Sequence, residues 1–271
     1  MSILEALILG LVQGLTEFIP ISSSGHLTIV PFIAGWDEPT LAFTVAVHAG
    51  TLVAVAWVFR DQVGRLARTT LRYRSATAWE QRMLKLIAIG TVPAVIVGIT
   101  LEGPISQAFE RPVLVSFLLG VTGYFLLSTE TRHEHHPNPR RVESEIRELD
   151  AGVIGVGQAL AVLPGISRSG ATIVAGMRMG LSRAAATRFS FLLSIPILIG
   201  ATLAQIPDML DEGLGSGAGG VFVVGAVSAG ISGFFAVRWF LGIVTRRGLR
   251  PFGVYLIFAM VAGLITALAR G

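Results

Sequence analysis

Pro164-Gly165-Ile166-Ser167-Arg168-Ser169-Gly170-Ala171-Thr172 sets glycines, hydroxyls and one arginine between two apolar stretches. In hydrocarbon an arginine costs several kcal/mol, and each unpaired backbone group costs a comparable amount. Such a segment persists only where protein or a wet cavity surrounds it. The composition also suits an anion, because Arg168 offers a bidentate fork and Ser167, Ser169 and Thr172 supply hydroxyls around it. Gly170 is expected to let the backbone turn into a helix beginning at Ala171, whose free N–H groups and positive dipole would face a phosphate. The plainer reading is a polar kink packed between helices.

A second stretch resembles the first. Pro20-Ile21-Ser22-Ser23-Ser24-Gly25-His26-Leu27-Thr28-Ile29-Val30 lies over 164–174, with Ser-x-Ser-Gly at 22–25 and 167–170 and Thr-Ile-Val recurring one residue out of step. Gly50-Thr51-Leu52 echoes 200–203 more weakly. The pattern reads as an internal duplication, and duplicated halves with broken apolar segments in matching places point to a binding site between them.

Composition narrows the class. Of 271 residues, 52% are hydrophobic and only 14% charged, too little charge for an ordinary soluble protein. Several apolar runs approach the ~20 residues that cross a bilayer. No cleavable signal peptide stands out, so the first apolar segments are expected to direct insertion themselves. The absence of cysteine excludes disulfides and thiolate chemistry. The formal charge of +4 is almost all arginine; it belongs to membrane topology, and no nucleic-acid partner is expected.

Six full spans are expected at 41–59, 84–101, 112–129, 184–206 (kinked at Pro196), 221–244 and 252–269. Stretch 2–20 is apolar apart from Glu5, Gln13 and Glu17, and 27–35, 151–163 and 171–181 are too short to cross; 2–35 and 151–181 suit two re-entrant helical hairpins. Segments 60–82 and 130–150 read as charged loops, 102–111 as a short turn, and 208–220 as an acidic, glycine-rich connection. Loops 60–82, 130–150 and 245–250 carry six, four and three arginines, whereas 36–40, 102–111 and 207–219 carry only Arg111. The arginine-rich loops are therefore expected on the cytoplasmic side. The two hairpins then enter from opposite faces. The expected fold is an all-α integral membrane protein, one domain over 1–271. Two inverted repeats, about 1–130 and 150–271, are joined by the cytoplasmic loop 130–150, and their serine-rich tips meet near the midplane.

Chemistry concentrates near the first tip. Gln13 and Glu17 share a helix face. A carboxyl at membrane depth is a functional candidate: a general base, or a holder of a divalent cation against phosphate. Ser23 with His26, backed by Glu17, would form a nucleophile, base and orienting acid; equally, Ser22, Ser23 and Ser24 could be helix caps. His48 reads as a packing or supporting residue, the tract His133, His135, His136 as solvated loop, and Trp36, Trp57, Trp79 and Trp239 as interfacial anchors. Arg178, Arg183 and Arg188 suit topology and headgroups, and Arg238 can snorkel. A transporter or flippase of a phosphorylated lipid or anion is the rival reading, since inverted repeats with broken helices serve transport. The density of nucleophile-type groups favours an enzyme.

These motifs resemble the undecaprenyl-diphosphate phosphatase family, also called the bacitracin-resistance phosphatases. Gln13-Gly14-Leu15-Thr16-Glu17, continuing through His26, is similar to the family's Glu/Gln-x-x-x-Glu motif, and 164–172 to its Pro-Gly-x-Ser-Arg-Ser-x-x-Thr motif. The resemblance covers essentially the whole chain. It implies hydrolysis of undecaprenyl diphosphate to the monophosphate and inorganic phosphate, recycling the lipid carrier of cell-wall synthesis and conferring bacitracin resistance. It also implies a plasma-membrane location, a site open to the outer face, and stimulation by magnesium or calcium. Carried over, Glu17 is the motif's second acid and a candidate metal ligand, Ser23 the proposed nucleophile, and His26 an acid, base or nucleophile. Arg168 grips phosphate, supported by Ser167, Ser169, Gly170 and Thr172, with Gln13, Ser22 and Ser24 facing it. Gln13 stands where a second acid is also found, which disfavours a two-carboxylate metal scheme. Membrane lipids are the surrounding partners; a homo-oligomer is compatible with the chain, and nothing in the sequence sets the oligomeric state.

Overall fold

The structure is a computed structural model that describes residues 1–135, 140–207 and 219–270. The position of His136 and most of the acidic, glycine-rich connection at 208–220 lie outside the described residues. Twelve α-helices make up nearly all that is described: α1 Ile3–Phe18, α2 Ser23–Ala34, α3 Leu41–Val58, α4 Arg60–Leu71, α5 Ala78–Thr100, α6 Glu102–Phe109, α7 Pro112–His135, α8 Glu148–Leu160, α9 Arg168–Arg178, α10 Arg183–Ala204, α11 Gly219–Arg247 and α12 Arg250–Arg270. Six of them (α3, α5, α7, α10, α11 and α12) are long and apolar enough to cross a membrane. These are the six spans expected from hydropathy. Pro196 lies inside a continuous α10.

The remaining helices decide where the site sits. With 16, 12, 13 and 11 residues, α1, α2, α8 and α9 all fall short of the ~20 residues of a span. α1 is started by a capping box, Ser2 with Glu5. It runs beside α11, where small residues let the backbones approach. A Cβ added at Gly10 or Gly14 would overlap the carbonyl of Gly225 or Ala229. Both tips cap their second helix with the serine at the matched position: Ser22 Oγ accepts from Gly25 N (3.3 Å) and Ser167 Oγ from Gly170 N (3.1 Å).

Three expectations are corrected. Stretch 60–82 is largely helical, because Val63 and Leu66, three apart, turn one face of α4 onto the core while Arg60 and Arg68 stay exposed. Stretch 102–111 is not a bare turn but holds the two-turn helix α6. In the second tip, α9 starts at Arg168 and not at Ala171, and the chain turns at Gly165, which holds φ +92°. Gly170 is already helical; its lack of a side chain instead spares Ser167 and Thr122, whose atoms lie 3.0–3.3 Å from where a Cβ would stand.

An aromatic cluster of Phe18, Phe59, Phe191, Phe240 and Phe252 packs beneath the first tip, edge-on except for the tilted Phe191–Phe240 pair, with centroids 5.3–6.1 Å apart. It draws α1, α3, α10, α11 and α12 together at the arginine-rich end of the bundle. Polar latches reinforce that end. Buried Glu130 of α7 pairs with Arg183 and accepts the Leu249 amide at 2.9 Å. Arg141 forks onto Asp150 at 2.5 and 3.0 Å and also donates to the Met179 carbonyl. Arg141 thereby pins the chain before α8 against the α9–α10 junction.

Candidate active site

The two tips touch. Arg168 Nη2, at the first turn of α9, lies 2.5 Å from Glu17 Oε1, at the last turn of α1. Ser169 Oγ donates to the Ile19 carbonyl at 3.1 Å, a second tie between the tips. Burial forces such pairing, because Glu17 is only 6% exposed and an unpaired carboxylate there would be prohibitively costly.

Glu17 is the hub. Its Oε2 accepts from Ser23 Oγ at 2.5 Å and from Gln13 Nε2 at 2.9 Å, with His48 Nε2 at 3.8 Å. The i, i+4 spacing of Gln13 and Glu17 brings their side chains together as the helix period requires. Ser23 reaches Glu17 because the chain reverses across 19–22, where Ser22 has φ +68°, the single positive φ of a non-glycine among the described residues. Strained backbone of this kind gathers where side chains must be aimed.

The grouping expected of Ser23, His26 and Glu17 is redrawn. Ser23 is bonded to the carboxylate itself. His26 is engaged on both nitrogens elsewhere: Nδ1 with the Ser22 carbonyl and Nε2 with the Tyr255 hydroxyl, each at 2.7 Å. Buried His26 therefore supports the tip from the α12 side, and Glu17 is the group positioned to take a proton from Ser23.

The second tip is likewise reassigned in part. Ser167 Oγ caps α9 and lies 3.2 Å from Ser169 Oγ. Thr172 Oγ1 bonds the Arg168 carbonyl (2.8 Å) and Ser190 Oγ of α10 (2.6 Å). Thr122 of α7 holds the turn by donating to the Gly165 carbonyl and accepting the Ser167 amide, both at 3.2 Å. The hydroxyls around Arg168 thus support its backbone, leaving the guanidinium as the tip's charged group. Ser24 lies 3.3 Å from Ser22, within the first tip.

Sequence reasoning did not find Tyr255, Thr122 or Ser190. Each is an ordinary residue of an apolar span, and only contacts across helices give it a role. His48 stands where a supporting residue was expected, its Nδ1 bonded to the Thr44 carbonyl at 2.8 Å and its other nitrogen facing Glu17.

Fold and site together define a multi-pass helical membrane protein with a carboxylate–guanidinium–hydroxyl centre buried where two short-helix pairs converge. The model of the bacitracin resistance protein BacA family matches residues 6–262, and the chain belongs to that family. It is 38% identical to an undecaprenyl-diphosphatase of Pelotomaculum thermopropionicum, covering 100% of this chain and 98% of the relative. It is 40% identical to those of Rubrobacter xylanophilus (98% and 99% covered) and Geobacter sulfurreducens (100% of both).

Proposed function

We propose that this protein is an undecaprenyl-diphosphatase, hydrolysing the lipid diphosphate to undecaprenyl phosphate and inorganic phosphate. Family membership and full-length relatives of that name support the activity, and the transporter reading draws no support from these relatives. The observation that carries the mechanism is the 2.5 Å contact of Ser23 Oγ with Glu17 Oε2, made while the other oxygen of the same carboxylate holds Arg168. A serine so placed can pass its proton to the carboxylate as it attacks the terminal phosphorus. The bond to the bridging oxygen breaks, undecaprenyl phosphate leaves, and water then cleaves the phosphoserine, restoring Ser23. Arg168 uses one of its five donors on Glu17 and keeps others for the equatorial oxygens, where charge must be stabilised.

A divalent cation fits this centre. Among the described residues no three His, Cys, Asp or Glu side chains cluster, so an all-protein cage is not the model. Magnesium is instead held by one or two protein oxygens together with substrate phosphates. Glu17 offers a carboxylate, and Gln13 Oε1 is buried with no hydrogen-bond partner among the described residues. These two residues would hold the ion, whose chemistry there is to neutralise charge on the diphosphate.

In this reading the paired short helices are re-entrant hairpins of an inverted repeat, 1–130 and 150–271. The matched serine caps and the contact between tips support it. The site opens to the outer face of the plasma membrane, because the aromatic cluster and the Glu130 and Asp150 latches close the arginine-rich end. The deciding assay is phosphate release from C55 diphosphate by purified wild type and Ser23→Ala, with and without magnesium or calcium. Wild type without turnover rejects the enzyme, and a fully active Ser23→Ala rejects serine attack.

A further inference from the structure

We propose that Tyr255 is a positioning residue for His26, its hydroxyl holding the imidazole in one tautomer and one ring plane beside the diphosphate site; this rests on the phosphatase reading above. The Ser22 carbonyl can only accept a hydrogen bond, so the hydrogen of the neutral His26 ring sits on Nδ1, 2.7 Å away. Nε2 then carries the lone pair, and the donor to it is the Tyr255 hydroxyl at 2.7 Å. The two rings lie nearly parallel, 9° apart with centroids 5.6 Å from one another.

The two residues differ in surroundings. His26 is 7% exposed, whereas Tyr255 on α12 is 44% exposed. Tyr255 lies in a spanning helix, where its ring can face lipid but its hydroxyl needs a polar partner, and the partner it finds is a buried ring nitrogen 229 positions away. The strained Ser22 completes the clamp, since its carbonyl takes both the His26 amide (3.1 Å) and Nδ1. With Nδ1 committed to the Ser22 carbonyl and Nε2 to the Tyr255 hydroxyl, His26 is held as a neutral ring, and that ring fixes the turn from which Ser23 reaches Glu17. Second-sphere partners of histidine act this way elsewhere, fixing tautomer and orientation.

Tyr255→Phe tests the idea, because it removes the hydroxyl and leaves the ring. With full-length protein in lipid nanodiscs and C55 diphosphate as substrate, kcat should fall about tenfold while KM stays within about twofold. Nitrogen NMR of histidine-labelled protein, with His26 assigned through His26→Gln, should give a protonated Nδ1 and a hydrogen-bonded, unprotonated Nε2 in wild type. In Tyr255→Phe the Nε2 resonance should move and Nδ1 should not. Unchanged kcat, a change in KM alone, or a neutral wild-type ring protonated at Nε2 would each overturn the assignment. If wild type releases no phosphate, the phosphatase reading falls on its own, and the spectra alone then decide whether Tyr255 clamps His26.

Discussion

The two tips share a sequence pattern and a capping serine, yet they divide the work unequally. In the first, only Ser22 is spent on the cap, and Ser23 is turned onto the Glu17 carboxylate. In the second, Ser167, Ser169 and Thr172 are all drawn into caps and ties, and Arg168 is the side chain left for chemistry. The same residue types therefore act as reactive groups or as scaffold according to what neighbouring helices present. A buried hydroxyl must find a partner, and the partner decides its role.

Breaking the contact between the tips should have the largest effect. Arg168→Ala removes the guanidinium from both Glu17 and phosphate, and kcat/KM for lipid diphosphate should fall ~10³-fold or more. A loss below tenfold would take Arg168 out of the site. Ser23→Ala should cost activity on a comparable scale if the proposed serine attack holds, since the nucleophile is lost with the hydroxyl. Its counterpart Ser169→Ala sharpens the contrast: activity should stay within about fivefold, while stability drops by ~1 kcal/mol through the lost bond to Ile19. A Ser169→Ala enzyme as dead as Ser23→Ala would end the proposed division of labour.

The ion pairs offer a second contrast. Glu17–Arg168 serves the site, whereas Arg141–Asp150 pins the chain before α8 to the bundle. Arg141→Ala should lower unfolding stability by ~3 kcal/mol, because it strands the nearly fully buried Asp150, and leave KM unchanged below the melting temperature. Burial works against the Asp150 carboxylate, but the Arg141 fork and the Arg147 amide outweigh it and hold this carboxyl below its ordinary 3.8. A depressed carboxyl contributes stability that is fully present above the ordinary value and is lost as pH falls through the lowered one. Melting temperature should therefore decline on acidification below about pH 4, and Asp150→Asn should flatten that part of the curve. The smallest effect is expected at His48. His48→Gln keeps a polar group near Glu17, and kcat should change about threefold or less by phosphate release.

Much of the architecture was legible in the chain. Six apolar runs, the alternation of arginine-rich loops and three of the four helices too short to cross follow from hydrophobic length and charge; that α1 is also short came from the structure. The pairing of Gln13 with Glu17 followed from the helix period, and the need for Arg168 to find a partner from its cost in an apolar setting. Where a charged stretch carried an apolar face, as at Val63 and Leu66, loop composition hid an amphipathic helix. In the second tip, the choice of Gly170 as the turning residue failed because two glycines were available, and only the backbone dihedral singles out Gly165.

Local composition, then, determined that this protein carries six helices long and apolar enough to cross a membrane and two hydroxyl-rich breaks, because the cost of burying charge and backbone acts on each segment by itself. Which of several neighbouring hydroxyls meets the carboxylate, and that a tyrosine 229 positions away caps His26, was settled only by tertiary structure. Hydrogen bonds act over about 3 Å, and no spacing along a chain states which side chains helix packing will bring that close.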